Sequence, residues 1–261
     1  MDAHTQQTLI DLNAQFYQTF GAAFAATRMR IQPGIRALIQ EMQPTGKWLD
    51  LGCGNGALGK LWAEQKRGGC YVGLDFSAAL LEHAEKLTAG LASDELSLTY
   101  AQAGLTDSIW PVEQAPLVEQ LFPDAVIAFD GVLCFAALHH IPGSEVRKAV
   151  LQHVHRVLRP GGLFIHSEWQ FQNSPKLMAR RLPWSTIGLE DAQVESGDTL
   201  LDWRFSLPGQ AEQIGYRYAH LFTEEELAGL AAGTGFSIQK SWYADGKSGN
   251  LAIYQIWRKE G

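Results

Sequence analysis

Between Thr5 and Gln43 apolar residues recur at helical spacing, as at Leu9, Leu12, Phe16, Phe20 and Phe24, and Pro33 divides the run, so two helices are predicted ahead of the first strand. From Lys47 the period shortens. Lys47 to Leu51 reads as a strand, Leu58, Leu61 and Trp62 as one face of a helix, and Tyr71 to Asp75 as a second strand. Ser77 is placed to cap a helix whose buried side carries Leu80, Leu81, Ala84 and Leu87. Leu96 to Gln102 continues the alternation, and a fourth strand is expected within 124–135, after a polar, proline-bearing insertion between Pro111 and Pro123. A helix from Ser144 should end at Arg159-Pro160-Gly161-Gly162, because proline cannot extend it and glycine supplies the turn into a strand over 163–169. Near the end Thr223 and Glu226 form a capping box, and two apolar runs at 236–243 and 251–257 flank a glycine-rich turn as a hairpin.

Strands and helices in this order imply an α/β fold: a mostly parallel, doubly wound sheet whose ligand sits beyond the strand C-termini, with an antiparallel C-terminal hairpin. At 261 residues, 46% hydrophobic, the chain is long enough for one large core. We divide it into a helical cover (1–44), a ligand-binding core (45–169), an insert (170–222) and a C-terminal helix with its strand pair (223–261). The insert is weakly periodic, and so long a connection in a compact domain is expected to be a lid or substrate-binding element. A net charge of −7 argues against a dominating nucleic-acid surface while permitting a local basic patch. Cys53, Cys70 and Cys134 form no CxxC pair, so reduced thiols without zinc are expected, and no targeting or membrane-spanning run is apparent. A soluble, cytoplasmic protein is the expectation.

Candidate chemistry centres on Trp48 to Lys60, WLDLGCGNGALGK. Gly52, Gly54 and Ala57 satisfy G-x-G-x-x-A between a strand and a helix, and Asp75 ends the next strand, where it can accept from both hydroxyls of a ribose. A nicotinamide or flavin dinucleotide and S-adenosylmethionine would both use these features. Asp50 discriminates. Beside a pyrophosphate it would add repulsion, whereas beside a sulfonium and an α-ammonium its charge is attractive. S-adenosylmethionine is therefore favoured over a dinucleotide or a turn that only packs strand on helix. Cys53 is expected to fill a small-residue slot rather than act as a nucleophile. His139, just after the fourth strand, is read either as a catalytic or substrate contact or as a structural hydrogen-bonding group, beside His140, and His153 and His155 as surface or packing residues.

The segments LDLGCGNG, VGLDFS, FDGVLCFAALHHI and VLRPGG occur in the order and spacing of class I methyltransferases, which this chain resembles from Trp48 to Trp169. That resemblance implies a Rossmann-like fold with a seven-stranded sheet. It puts Asp50, Gly52, Cys53, Gly54, Asn55 and Gly56 around the methionine part of S-adenosylmethionine, Asp75 at the ribose and Phe76 at the adenine. Gln102, Ala103, Gly104 and Leu105 would meet the adenine edge, with Phe135 also on the donor side. The family often carries an acid for the adenine amino group where this chain has Gly104. Gln102 or Asp107 is the expected substitute.

The flanks resemble more narrowly the wobble-uridine tRNA methyltransferases that esterify a carboxymethyl group. The matched positions are Tyr17, Phe24, Thr27 and Arg28 in the entry helices, Gly197, Asp198 and Trp203 in GDTLLDW, and Arg217, Tyr218, His220 and Phe222 in RYAHLF. Arg28 is expected to hold the donor's carboxylate or, like Arg217, to orient the acceptor, and the resemblance implies an acceptor site drawn from Tyr17, His139, Trp169, Trp203, Arg217, Tyr218 and His220. Lys176, Arg180 and Arg181 would orient an acceptor carboxylate or RNA phosphates, or serve solubility alone. A carboxylate acceptor is already ionised near neutral pH, so no general base is required. The expected partners are tRNA or a small-molecule acceptor, with a small activating protein as in eukaryotic members of that family. A donor-binding pseudoenzyme that regulates a partner is the alternative from another functional class.

Overall fold

The computed structural model describes residues 1–261 except 28–29, 44, 115–116, 123–126 and 206–211, and describes only the backbone at 22–27. Two helices, α1 (Ala3–Thr27) and α2 (Pro33–Glu41), precede β1 (Lys47–Leu51), and Pro33 opens the second as the sequence predicts. There follow α3 (Ala57–Glu64), β2 (Gly69–Asp75), α4 (Ala78–Thr88), β3 (Leu96–Gln102), α5 (Leu117–Leu121), β4 (Phe129–Phe135), α6 (Ser144–Val157) and β5 (Leu158–Trp169). The Ser77 hydroxyl caps α4 by accepting from the Leu80 backbone N–H. The chain then forms α7 (Pro175–Met178), β6 (Arg181–Leu182), β7 (Asp198–Phe205) and β8 (Gln213–His220). It closes with α8 (Glu224–Gly233), β9 (Phe236–Ala244) and β10 (Ala252–Lys259).

Seven strands make the main sheet in the order β3-β2-β1-β4-β5-β10-β9, and only β10 runs against its neighbours. This is the Rossmann-like, seven-stranded arrangement that the resemblance implies, with the expected C-terminal hairpin. Alternation along the strands feeds two cores. Leu49, Leu51, Val72, Val132 and Cys134 face α6 and α8, whereas Trp48, Tyr71 and Leu133 face α2 and α3. One expectation shifts in detail: β5 begins at Leu158, directly after α6, so Arg159-Pro160-Gly161-Gly162 lies within the strand. There the pairing with β4 slips between Phe129 and Gly131.

Residues 170–222 contain what the weak periodicity concealed, an antiparallel three-stranded sheet in the order β6-β7-β8. Leu200 and Tyr218 pack with Leu9 of α1 on one face, while Leu201 and Ala219 pack with Phe171 on the other. Gly215 permits the closest approach, since a Cβ there would lie 2.6 Å from Phe20 and 2.8 Å from Phe16. Asn13 of α1 joins the same strand by accepting from Tyr218 N–H (2.9 Å) and donating to Tyr218 C=O (3.2 Å).

A polar cluster ties the second sheet to the main fold. Arg147 of α6 is 1% exposed and bonds Glu195 (2.7 Å) and Glu226 of α8 (3.3 Å). His220 of β8 bonds Asp198 (2.7 Å) and Glu226 (2.9 Å), and Tyr218 Oη donates to Asp198 (2.6 Å). Burial opposes the charged form of His220, but its two carboxylates outweigh burial and hold its pKa above the ordinary imidazole value. Glu195, Asp198 and His220 offer ligand atoms within 4.8 Å of one another, a metal-compatible spacing that already contains the Arg147 guanidinium. Removing Arg147 strands two acids. A fully buried broken pair costs about 3–5 kcal/mol, and partial solvation of both acids brings the expected loss for Arg147→Ala to about 2 kcal/mol. Urea unfolding should show this as a lower midpoint, and an unchanged midpoint would mean the cluster adds nothing.

Candidate functional site at the strand C-termini

A cavity of about 770 Å³ opens at the C-terminal edge of the parallel strands, between the main sheet, α1, α2 and the second sheet. Its floor is the glycine turn after β1. Gly52 and Cys53 donate backbone N–H groups to the Leu74 carbonyl (2.8 and 3.0 Å), which pins the turn to β2. Gly52, Gly54 and Gly56 all have left-handed φ. A Cβ at Gly54 would meet nothing within 4 Å, so this backbone lies open to a ligand, whereas at Gly56 it would come 2.6 Å from Ala84 Cβ. Glycine thus serves access at one position and helix packing at the other.

Asp75 ends β2 on the cavity wall, accepting from Gly54 N–H and Ser77 N–H, both at 2.9 Å. Burial pushes its pKa up, partly offset by those two N–H groups. Asp50 lies below, outside the cavity lining, and accepts a hydrogen bond from Tyr71 Oη. Burial raises its pKa to about 7, against the Tyr71 bond and with help from the Asp75 charge. Two buried carboxylates at one strand edge form a donor set for a cation, which fits a sulfonium and an α-ammonium and opposes a pyrophosphate.

The remaining donor-side candidates are spread around this floor. Asn55, Phe76, Gln102, Ala103, Gly104, Leu105 and Phe135 line the cavity, and Cys53 and Gly56 lie beneath it. The Cys53 sulfur sits where a Cβ on Gly73 would be 2.8 Å away, and burial pushes its thiol well above the ordinary range. The Gln102 amide donates to the Phe76 carbonyl (2.9 Å), while Asp107 lines the cavity and accepts from Gly104 N–H (2.7 Å). An acidic group therefore stands at the edge where Gly104 supplies none. Arg28 falls outside the described residues, as do the side chains of Phe24 and Thr27.

Tyr17, His139, His140, Trp169 and Arg217 also line the cavity, and Tyr17 meets the Phe76 ring edge-on with centres 5.8 Å apart. His140 Nδ1 meets the Tyr218 carbonyl (2.9 Å), which assigns the proton to that nitrogen and leaves Nε2 to accept from Tyr17 Oη (3.1 Å). The Arg217 guanidinium lies 5.0 Å from the Phe16 ring centre and 5.4 Å from that of Trp169. Burial lowers the Arg217 pKa, opposed by Tyr17 and assisted by the Arg180 charge. Tyr218 and His220 belong to the polar cluster rather than the cavity. Arg180 and Trp203 line a separate, smaller recess, and Arg181 is exposed on neither wall.

Sequence reasoning missed several groups. Glu168 is completely buried below His139, accepting from the His139 backbone N–H (3.1 Å), meeting His139 Nδ1 (3.0 Å) and meeting His166 Nδ1 (2.9 Å). Burial pushes the Glu168 pKa well up and the His166 pKa down to about 3. The signal was available, for His-Ser-Glu interrupts an otherwise apolar strand. Asp245, at positive φ, accepts from Gly34 N–H (2.9 Å) and Tyr254 Oη (2.5 Å) on the wall near α2. Nothing in its loop marked it.

A methyltransferase-domain family model matches residues 49–164. The chain is 22% identical over 204 residues to a probable tRNA methyltransferase 9B of Bos taurus, covering 77% of this chain and 37% of that protein. It is 25% identical over 240 residues to the tRNA (carboxymethyluridine(34)-5-O)-methyltransferase of Schizosaccharomyces pombe, covering 88% of this chain and 90% of that one. Among solved structures, a SAM-dependent methyltransferase from Methanosarcina mazei shares the fold with a TM-score of 0.60 at 22% identity, covering 88% and 98% of the two chains. The chain thus spans little more than a third of the bovine relative.

Two outcomes follow for the donor side. Asp75→Ala should weaken S-adenosylmethionine binding by about tenfold or more, since charge-assisted hydrogen bonds contribute about 1.5–3 kcal/mol, and calorimetry showing unchanged affinity would remove Asp75 from the site. A bound cation lowers the Asp50 pKa from about 7, so binding releases a proton. Donor affinity should rise as pH increases through 7 and level off above it. Asp50→Asn should flatten that profile, and a wild-type profile already flat between about pH 6 and 8 would refute the coupling.

Proposed function

Because the chain carries a class I S-adenosylmethionine-dependent methyltransferase domain, we propose that it methylates a carboxylate, the carboxymethyl group of a modified wobble uridine in tRNA, to form a methyl ester. The observation that carries this reading is the near end-to-end alignment with the fission yeast enzyme, which extends well beyond the 49–164 domain into both flanks. Arg217 supports it physically, for the aligned flank contributes a guanidinium to the cavity that Asp75 also lines.

When bound, S-adenosylmethionine supplies an electrophilic methyl on a sulfonium, whose transfer to a carboxylate oxygen leaves the carbon–sulfur pair on sulfur and moves no proton. The protein's own task is then binding, orientation and exclusion of water. Asp75 and the Gly54 backbone hold the donor side, with the Asp50 charge beneath. Arg217, held between the Phe16 and Trp169 rings, presents planar paired donors to the acceptor carboxylate, while Tyr17 is fixed by His140. His139 abstracts no proton in this scheme and acts as part of the wall. A small carboxylic acid is the second reading, favoured by a cavity volume within the ~300–1,000 Å³ that holds whole small molecules.

Labelled methyl from the donor should enter total tRNA and, after nucleoside digestion, appear in a uridine ester that mild base hydrolyses. Label confined to a small-metabolite extract would replace tRNA by a small acceptor, and label in neither would leave a partner-dependent enzyme or a donor-binding regulator. Arg217→Lys should lower kcat/KM for the acceptor by about tenfold to a hundredfold with donor affinity preserved, because it keeps the charge and loses the fork. Equal loss of donor binding would assign Arg217 to the donor instead.

A further inference from the structure

The second sheet carries a recess of about 230 Å³ that the donor chemistry does not use. Lys176 and Arg180 approach it from the α7 segment, Asp202 and Trp203 from β7, and Arg217 from β8. Arg217 also lines the large cavity, so one buried side chain borders both spaces. At this volume the recess is smaller than pockets that take a whole small molecule, about 300–1,000 Å³, and suits one group of a larger ligand.

Its chemistry is divided. Lys176, Arg180 and Arg217 provide three cations for an anionic group. Asp202 is buried, and its Oδ2 accepts from Arg204 Nε at 2.7 Å, which offsets its charge. Its buried Oδ1 has no hydrogen-bond partner among the described residues. Leaving a buried acceptor unsatisfied costs about 1–3 kcal/mol, so the recess favours a ligand that brings a hydroxyl or N–H together with its anion. A bare anion satisfies the cations and repels Asp202. Trp203 is held by Phe16, Phe20 and Phe205, with ring centres 5.6, 5.2 and 5.3 Å away, so it is a fixed wall beside the charged groups.

We propose that this recess binds a ribose–phosphate unit of RNA next to the nucleoside held in the large cavity, with the phosphate on Lys176, Arg180 and Arg217 and the ribose 2′-hydroxyl donating to Asp202 Oδ1. The assignment rests on the reading that the acceptor is RNA. It adds a reason for selecting RNA over DNA, because deoxyribose has no hydroxyl to offer Asp202. The three cations also put a basic patch on a chain whose net charge is −7.

The test is binding of a short single-stranded oligoribonucleotide and its all-deoxy counterpart to the full chain, read by fluorescence anisotropy across a salt series, alongside methyl transfer to tRNA. Lys176→Ala/Arg180→Ala should weaken oligoribonucleotide binding by at least about tenfold. It should also reduce the log–log salt slope by about 1.4, since each phosphate contact to a single strand contributes about 0.7. Asp202→Ala should abolish the preference for ribo over deoxyribo. An unchanged salt slope in the double variant, with tRNA still methylated, would overturn the recess assignment and leave the proposed function standing. Should Asp202→Ala fail to fold, the double variant, whose two residues are solvent-accessible, decides the question alone. Absence of both RNA binding and tRNA methylation would overturn the RNA reading and this assignment together.

Discussion

Two carboxylates buried at one edge of a parallel sheet repel each other and have both given up water. Asp50 and Asp75 are in that position because the β1–β2 pairing aligns the ends of adjacent strands and the glycine turn folds back over them. The surrounding chain meets the cost unequally. Asp75 receives two backbone N–H groups, whereas Asp50 receives one Tyr71 hydroxyl and is pushed up to about 7. The left-handed glycine turn brings Gly54 N–H onto Asp75, the second N–H comes from Ser77 just after β2, and Gly56 lets α4 pack behind the turn. The donor floor is therefore a strained electrostatic arrangement that a bound cation relaxes.

The basic group of the cavity, Arg217, has a different kind of support. Arg217 lies on a strand buried on both faces, so its position depends on the second sheet, which depends on α1 and on the Arg147 cluster. Asn13, Tyr17 and His140 connect the same strand to the loop after β4. Main sheet and second sheet thus meet at the cavity, with each contributing the charge that the other lacks.

The main fold was readable because its strands alternate in period and end on chemically specific turns. Pro33, Ser77, Thr223 and the glycine turn all mark boundaries where the structure places them. The second sheet was not readable for a physical reason. Leu200 and Leu201 are adjacent and both buried, on opposite faces, so β7 shows no apolar–polar alternation. Tyr218 and His220 looked like site residues because they are polar within a motif, yet they satisfy a network linking α6, α8 and the second sheet. His-Ser-Glu in an apolar strand marked Glu168 as unusual, but its pairing with His139 comes from another segment and only the fold shows it.

The division of charge across the cavity also bears on turnover. On the proposed reaction a cationic donor lies over Asp50 and Asp75 while an anionic acceptor lies against Arg217, and each ligand is held by the opposite charge. Transfer joins the two charges into a neutral ester and a neutral thioether. The sulfonium and carboxylate charges are then lost in one step, in a site where low dielectric makes their attraction large, while the product keeps its α-ammonium over the acidic floor. Arg217 then faces a neutral ester, whereas Asp50 and Asp75 lose only the sulfonium part of the donor's charge. Binding, alignment and product release are thereby coupled through the same few buried charges, without any requirement for a residue that carries a proton to or from the acceptor.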